Sequence, residues 1–312
     1  MSISLSDRLK EINSNDPQVL TNCISQVIKT ITTKRKLITD VYKHPGFIKR
    51  CCKLLNQPAL TQDIIVLLEV MLMSRVENNN YLVKTEALEI YFESGLVKPY
   101  LNLLSFNQQR YRVMIWNFIY QLSLEEKYRQ TLVNSNFMDS FISYLNCLLK
   151  NKLLFDKEDK DKPNPYQELE KPCQVLFNLF GQETTIQQHK PDDVHKVLLS
   201  IGKLMTCQHQ QDVSNQLQQN FLAVFGNVVL YKQFKKESIE LMCKVKKQIK
   251  ENYLPYNSSF RVQSAAIKGY HNILQLVENY NDNQELEPFI KELSSDREFT
   301  IEMKSLSDKI TL

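Results

Sequence analysis

The sequence predicts an all-α stack of helical repeats, and three observations carry that prediction. The chain repeats itself: Gly95 to Asn136 spans 41 residues, Leu104 to Leu145 spans another 41, and three helical segments fit within the interval. A fixed period near 40 residues is the mark of a helical solenoid, and dividing the length by the usual ~40–47-residue repeat gives about six or seven repeats. Apolar residues recur at steps of three and four along most of the chain, with no useful run of β alternation. Glycine is scarce, 6 of 312 residues, while the 10 prolines fall mainly between candidate helices, which they start or end.

The stretch from Glu93 to Leu149 sets the pattern. Gly95-Leu96-Val97 opens an apolar run that ends in Leu101, Leu103 and Leu104. A polar turn, Ser105 to Gln109, separates it from the apolar helix Arg110 to Ser123, which holds the only Trp. A segment with Tyr128, Leu132 and Val133 follows, and Asn136-Phe137-Met138 restarts the pattern.

Upstream, Leu5 to Ile12 is a short amphipathic helix, and Asp16-Pro17 is a helix start with an N-cap and a first-turn proline. Leu20, Cys23, Ile24, Val27, Ile28 and Ile31 then make one apolar stripe. His44-Pro45-Gly46-Phe47 opens another repeat, in which Phe47, Ile48, Leu54 and Leu55 match Leu96, Val97, Leu103 and Leu104 at an offset of 49. The next helix, Thr61 to Ser74, is apolar nearly all round, as for an innermost helix buried on several sides. The same offset of 49 places Leu67 on Trp116 and Met71 on Tyr120.

After Leu149 the pattern breaks at Asp156 to Lys162, "DKEDKDK", followed by Pro163-Asn164-Pro165. Dense charge with prolines cannot bury apolar area, so 151–168 reads as an exposed loop. It divides 1–150, the N-terminal half of the array, from 169–312, the C-terminal half. In that half, helices read over Leu169 to Gly181, Pro191 to Met205, Val213 to Tyr231, Lys235 to Lys250 and Phe260 to Val277, with capping helices over Leu286 to Leu312.

Composition excludes several function classes. Phosphate and dinucleotide folds spend glycine at the ligand, and no GxGxxG or Walker-type loop occurs. A net charge of +4 does not by itself predict polyanion binding. The seven cysteines have no paired spacing and read as reduced thiols in a cytosolic or nuclear protein. No apolar run approaches the ~20 residues of a membrane span, and "MSISLSDRLKEI" is neither a secretory signal nor a transit peptide. Cys207, His209, His195 and Asp192-Asp193 fit no zinc spacing, and no catalytic motif is present. The chain is expected to be non-catalytic, without cofactor or metal.

Three helices share a pattern: Phe177-Asn178-Leu179-Phe180, Gly226-Asn227-Val228-Val229 and His271-Asn272-Ile273-Leu274, with Asn-to-Asn spacings of 49 and 45. It resembles the third helix of armadillo repeats, within the armadillo/HEAT-like class. The resemblance implies a right-handed α-solenoid whose third helices line a concave groove. It further implies that Asn178, Asn227 and Asn272 clamp the backbone of an extended peptide. Trp116 falls on the family's Trp position and Tyr120 on its Asn position, while Gln174, Ala223 and Lys268 stand four residues before the three asparagines.

Arg112, Trp116 and Tyr120 share one helical stripe, which holds a peptide by stacking and charge if it faces the groove. In an apolar helix Trp116 equally reads as a core aromatic. Each asparagine reads either as a ligand clamp or as a brace for its own chain. Lys235, Lys236, Lys244, Lys246, Lys247 and Lys250 form the densest basic face, read as solvated or as a polyanion surface.

The expected function is a protein–protein scaffold or adaptor that binds a partner segment, an extended peptide or a larger assembly on its concave face. One alternative is a subunit of a cytoskeletal or ciliary complex bound by the convex face. The other is a nucleic-acid-binding repeat protein using Lys235–Lys250. The expected location is cytoplasmic, with cytoskeletal, ciliary or nuclear variants.

Overall fold

The computed structural model describes residues 4–73, 81–105, 109–150, 165–205 and 215–228, with Lys291. No strand occurs among them. In chain order the helices are α1 (Leu5–Lys10), α2 (Pro17–Thr33), α3 (Ile38–Lys43), α4 (Phe47–Leu54), α5 (Pro58–Met73), α6 (Tyr81–Glu93) and α7 (Val97–Leu103). Then follow α8 (Gln109–Leu124), α9 (Glu126–Asn134), α10 (Phe137–Lys150), α11 (Pro165–Phe180), α12 (Glu183–Ile186), α13 (Pro191–Met205) and α14 (Asn215–Val228). From α3 onward these read as triplets, with α5, α8, α11 and α14 as third helices, and α2 as the third helix of the first repeat. The helix at Lys235 to Lys250, the helix at Phe260 to Val277 and the capping helices lie outside the described residues. So does most of the 151–168 segment, although α11 already begins at Pro165, with proline at the position where a missing N–H costs least.

The chain forms two compact units, Met1–Ser135 and Asn136–Leu312. In the first, α2 packs on α5 and α5 on α8, so the third helices stack in succession. The second pairs α11 with α14 and α10 with α13.

Local chemistry fixes the helix ends. Asp16 accepts a 2.8 Å bond from the Gln18 N–H ahead of Pro17, capping α2. The turn from the first to the second helix of a repeat recurs as a left-handed residue: Gly46 (φ 74), Gly95 (φ 78) and Asn136 (φ 59). They precede α4, α7 and α10. Two are glycine and the third is asparagine, the residues that enter this region at least cost. At Gly95 the Leu96 N–H reaches the Tyr91 carbonyl at 3.2 Å and the Gly95 N–H reaches Phe92 at 3.0 Å, a Schellman closure of α6.

The core of the first unit is aromatic where the repeats meet. Tyr42 (α3) lies 5.7 Å from Tyr91 (α6), which lies 5.8 Å from Phe118 (α8), and Tyr100 (α7) stands at 90° to Phe118 at 5.3 Å. The buried hydroxyls are used: Tyr42 Oη donates to Tyr91 Oη at 3.3 Å, and Tyr91 Oη donates to the Leu68 carbonyl at 2.9 Å. Arg50 Nε and Nη2 donate to the Ile12 and Ser14 carbonyls, tying α4 to the turn after α1. In the second unit His189 packs edge-on against Phe180 at 5.9 Å, and burial pushes its imidazole down to about 4 against the pull of Asp193.

The left-handed turn gives a test. Asn136→Ala lowers stability by about 1–2 kcal/mol, because a Cβ-bearing residue other than Asn is disfavoured at positive φ. Asn136→Gly leaves stability unchanged or slightly raised. Urea denaturation followed by circular dichroism checks both.

Candidate protein-binding face

The third helices bury the same pattern of positions. In α5 the enclosed residues are Thr61, Ile64, Ile65, Leu67, Leu68, Met71 and Leu72. Shifted by 51, they become Arg112, Ile115, Trp116, Phe118, Ile119, Leu122 and Ser123 of α8, all buried. A further shift of 57 gives Leu169, Pro172, Cys173, Val175, Leu176, Leu179 and Phe180 of α11, again all buried. Most of the circumference is therefore committed to packing, and one narrow stripe of each helix stays open.

This burial pattern moves the sequence-based stripe by one residue. Trp116 is 0% exposed and Arg112 only 5%; both belong to the interior, and of the expected trio only Tyr120 reaches the half-exposed stripe. The residues of α8 left exposed or half-exposed are Arg110, Tyr111, Val113, Met114, Asn117, Tyr120, Gln121 and Leu124. The connection between the second and third helices also differs in length. It runs 55–57 in one repeat but 104–108 in the next. The two additional residues convert the offset of 49, valid for the second helices, into 51 for the third. At 51, Trp116 falls on the buried Ile65 of α5, while Asn117, Tyr120 and Gln121 fall on the half-buried Val66, Glu69 and Val70. The longer turn, visible in the sequence, was the signal that could have found them.

Of the expected asparagines, Asn178 is half-exposed on α11. Asn227 is half-exposed on α14, and its Nδ2 donates to the Phe177 carbonyl at 3.4 Å. Asn220 Nδ2 reaches the Glu170 carbonyl at the same 3.4 Å. Asn272 and the Lys235–Lys250 basic face lie outside the described residues.

In the first unit, polar bonds run along the α5–α8 seam between residues one repeat apart. Tyr111 Oη donates to Gln62 Oε1 at 3.2 Å, and Asn117 Nδ2 donates to Glu69 Oε1 at 3.0 Å. Half-burial pushes the Glu69 carboxyl up to about 7, opposed by the Asn117 hydrogen bond that favours the charged form. The large apolar side chains left exposed among the described residues are Val19, Val113, Leu124 and Phe177, and all four sit on third helices: α2, α8, α8 and α11. No helix among the described residues is long and apolar enough to cross a membrane, and no group of three metal-capable side chains occurs there.

Among solved structures the chain is similar to an engineered protein, with TM-score 0.58 and 13% identity over 88% of this chain and 100% of that one. It is also similar to a designed armadillo repeat protein in complex with peptide (KR)4, with TM-score 0.57 and 13% identity over 87% and 100% of the two chains. Computationally designed armadillo repeat proteins for modular peptide recognition align with TM-score 0.53 and 13% identity over 94% and 99%. No protein-family model matches the sequence, and no curated protein matches it. The chain has an armadillo-like helical-repeat fold.

The stripe assignment predicts that Trp116→Ala costs about 3–5 kcal/mol of folding stability, whereas Gln121→Ala stays within about 0.5 kcal/mol. Glu69 predicts a pH dependence. The folded state holds its proton up to about pH 7, while the unfolded state releases it near the ordinary glutamate value of 4.5. Stability therefore declines as pH rises from 4.5 to 7, by up to ~3 kcal/mol at about 1.36 kcal/mol per unit. Glu69→Gln removes that decline; denaturant midpoints across the window check it.

Proposed function

We propose that this chain is a non-catalytic protein-binding scaffold whose units, each by itself, receive extended partner segments on the open stripes of their third helices. The placement of the exposed apolar side chains carries this reading. Isolated exposed hydrophobics are ordinary on a protein surface. Here Val19, Val113, Leu124 and Phe177 all fall on third helices, and none on the first or second helices of the described repeats. Beside them stand carboxamides: Asn117 and Gln121 on α8, Gln174 and Asn178 on α11, Asn227 on α14. A carboxamide both donates and accepts, which matches the alternating N–H and C=O of an extended backbone. Exposed apolar side chains next to them give the partner's side chains contact area. Two of the similar structures are described by peptide complexes or peptide recognition, which supports a peptide-like occupant.

The test uses linear peptides selected against the full chain from a phage library. Leu124→Glu weakens peptides held by the first unit, and Phe177→Glu those held by the second, each by about 10- to 100-fold, since burying such a side chain is worth about 1.5–3 kcal/mol. Helicity stays unchanged, because both side chains point away from the core. Lys196→Glu, an exposed position on the second helix α13, leaves affinity unchanged. Equal affinity of the wild type and both stripe variants overturns the reading.

A further inference from the structure

We propose that Glu69 is a specificity-determining residue of the α5–α8 stripe, selecting a partner segment that places a lysine or arginine side chain at this seam. The inference rests on the reading of that stripe as the binding face.

Glu69 is a half-buried carboxylate with no counter-ion among the described residues. It lies mid-stripe on α5, and one oxygen, Oε1, accepts from Asn117 Nδ2 at 3.0 Å. A carboxylate has about four acceptor positions, and this bond fills one. The ion pairs among the described residues are Lys10–Asp7, Lys127–Glu89 and Lys196–Asp193; none involves Glu69. Carboxylates taken out of water are ordinarily paired.

Among the described side chains, no cation on the elements packed on α5 pairs with Glu69. Lys29 on α2 and Lys49 and Lys53 on α4 are exposed, and Arg50 is bound to the Ile12 and Ser14 carbonyls. α8 contributes Arg110, exposed, and Arg112, buried, with the phenols of Tyr111 and Tyr120. α6 brings Glu86, Glu89 and Glu93, all exposed, and the buried Tyr91; α2 and α4 bring the buried thiols of Cys23, Cys51 and Cys52. Tyr100 on α7 senses the Glu69 charge. What sets the ionisation of Glu69 is burial first and the Asn117 bond second.

The surroundings favour a long aliphatic stem with a charged tip. Val66 stands one turn before Glu69, and Val113 one turn before Asn117, both on the open stripes. A lysine or arginine lays its methylenes along such surface and carries its charge to the carboxylate. Gln62 lies two turns away, with Oε1 engaged by Tyr111. That separation, about 10 Å along the helix, matches roughly three residues of extended chain. A cation at the seam favours the ionised carboxylate, so binding releases a proton wherever Glu69 is still protonated. The affinity of a cationic segment therefore rises with pH through about 7, and that of a neutral segment does not.

The test starts from peptides selected by phage display on the full chain and filtered for loss of binding to Leu124→Glu. The inference expects Lys or Arg to be enriched at one position. Replacing that residue by norleucine weakens binding at least 10-fold at pH 8 and much less at pH 5.5. Glu69→Gln removes the preference for the cationic peptide while leaving the norleucine peptide bound as before, since a glutamine still accepts from Asn117. The Glu69 carboxyl, followed by carbon NMR, titrates at lower pH in the complex than in the free chain. Filtered peptides without basic enrichment, or equal losses for both peptides in Glu69→Gln, overturn the inference while the binding face stands. If no selected peptide is sensitive to Leu124→Glu, the α8 stripe is not a binding face and both readings fall.

Discussion

The third helix is the constraint on which the described structure depends. In the first unit α5 lies between α2 and α8 and also touches α4 and α6, so it must present apolar surface in nearly every direction. Its sequence does so: Ile64, Ile65, Leu67, Leu68, Met71 and Leu72 are all enclosed. The interior tolerates few polar groups, and two hydroxyls on the third helices are satisfied locally. Thr61 Oγ1 donates to the Leu55 and Gln57 carbonyls at 2.9 Å, and Ser123 Oγ donates to the Tyr120 carbonyl at 2.7 Å. Each closes a backbone acceptor near a helix end, where unsatisfied carbonyls collect. Because packing claims most of the circumference, the surface left for another molecule is a stripe only one or two residues wide. The binding face is the remainder after burial, and its position follows from the register of burial.

That dependence explains which features were legible in the sequence. Gly46, Gly95 and Asn136 mark their turns openly, since few other residues enter positive φ cheaply. Proline and aspartate announced α2. The period and the all-α class followed from these marks and from apolar spacing. The register of α8 did not, because a helix apolar on most sides gives periodicity little to distinguish. Trp116 shows the consequence. It falls on the family's Trp position and so read as a groove anchor, yet either offset sets it on a buried residue of α5, Leu67 at 49 or Ile65 at 51, and it is enclosed. The offset of 51 sets Asn117, which no motif had marked, on the half-buried Val66 rather than on the buried Leu68. Asn178 and Asn227 were readable because asparagine within an apolar helix is out of place unless it is bonded or facing out.

The two units use their carboxamides differently, and the difference is one of hydrogen-bond strength. On α14, Asn227 holds the Phe177 carbonyl at 3.4 Å, near the limit of a useful bond, and that carbonyl already accepts from the Gly181 N–H at 3.0 Å. Releasing this amide costs little, because the acceptor stays satisfied. On α8, Asn117 binds a carboxylate at 3.0 Å, a charge-assisted contact and the stronger of the two. Its Nδ2 is held in place, and what it offers outward is its carbonyl and the Glu69 charge beside it. One residue type thus serves as an adaptable donor in one unit and as a fixed support in the other. The acceptor that each amide meets within its own chain decides which role it takes.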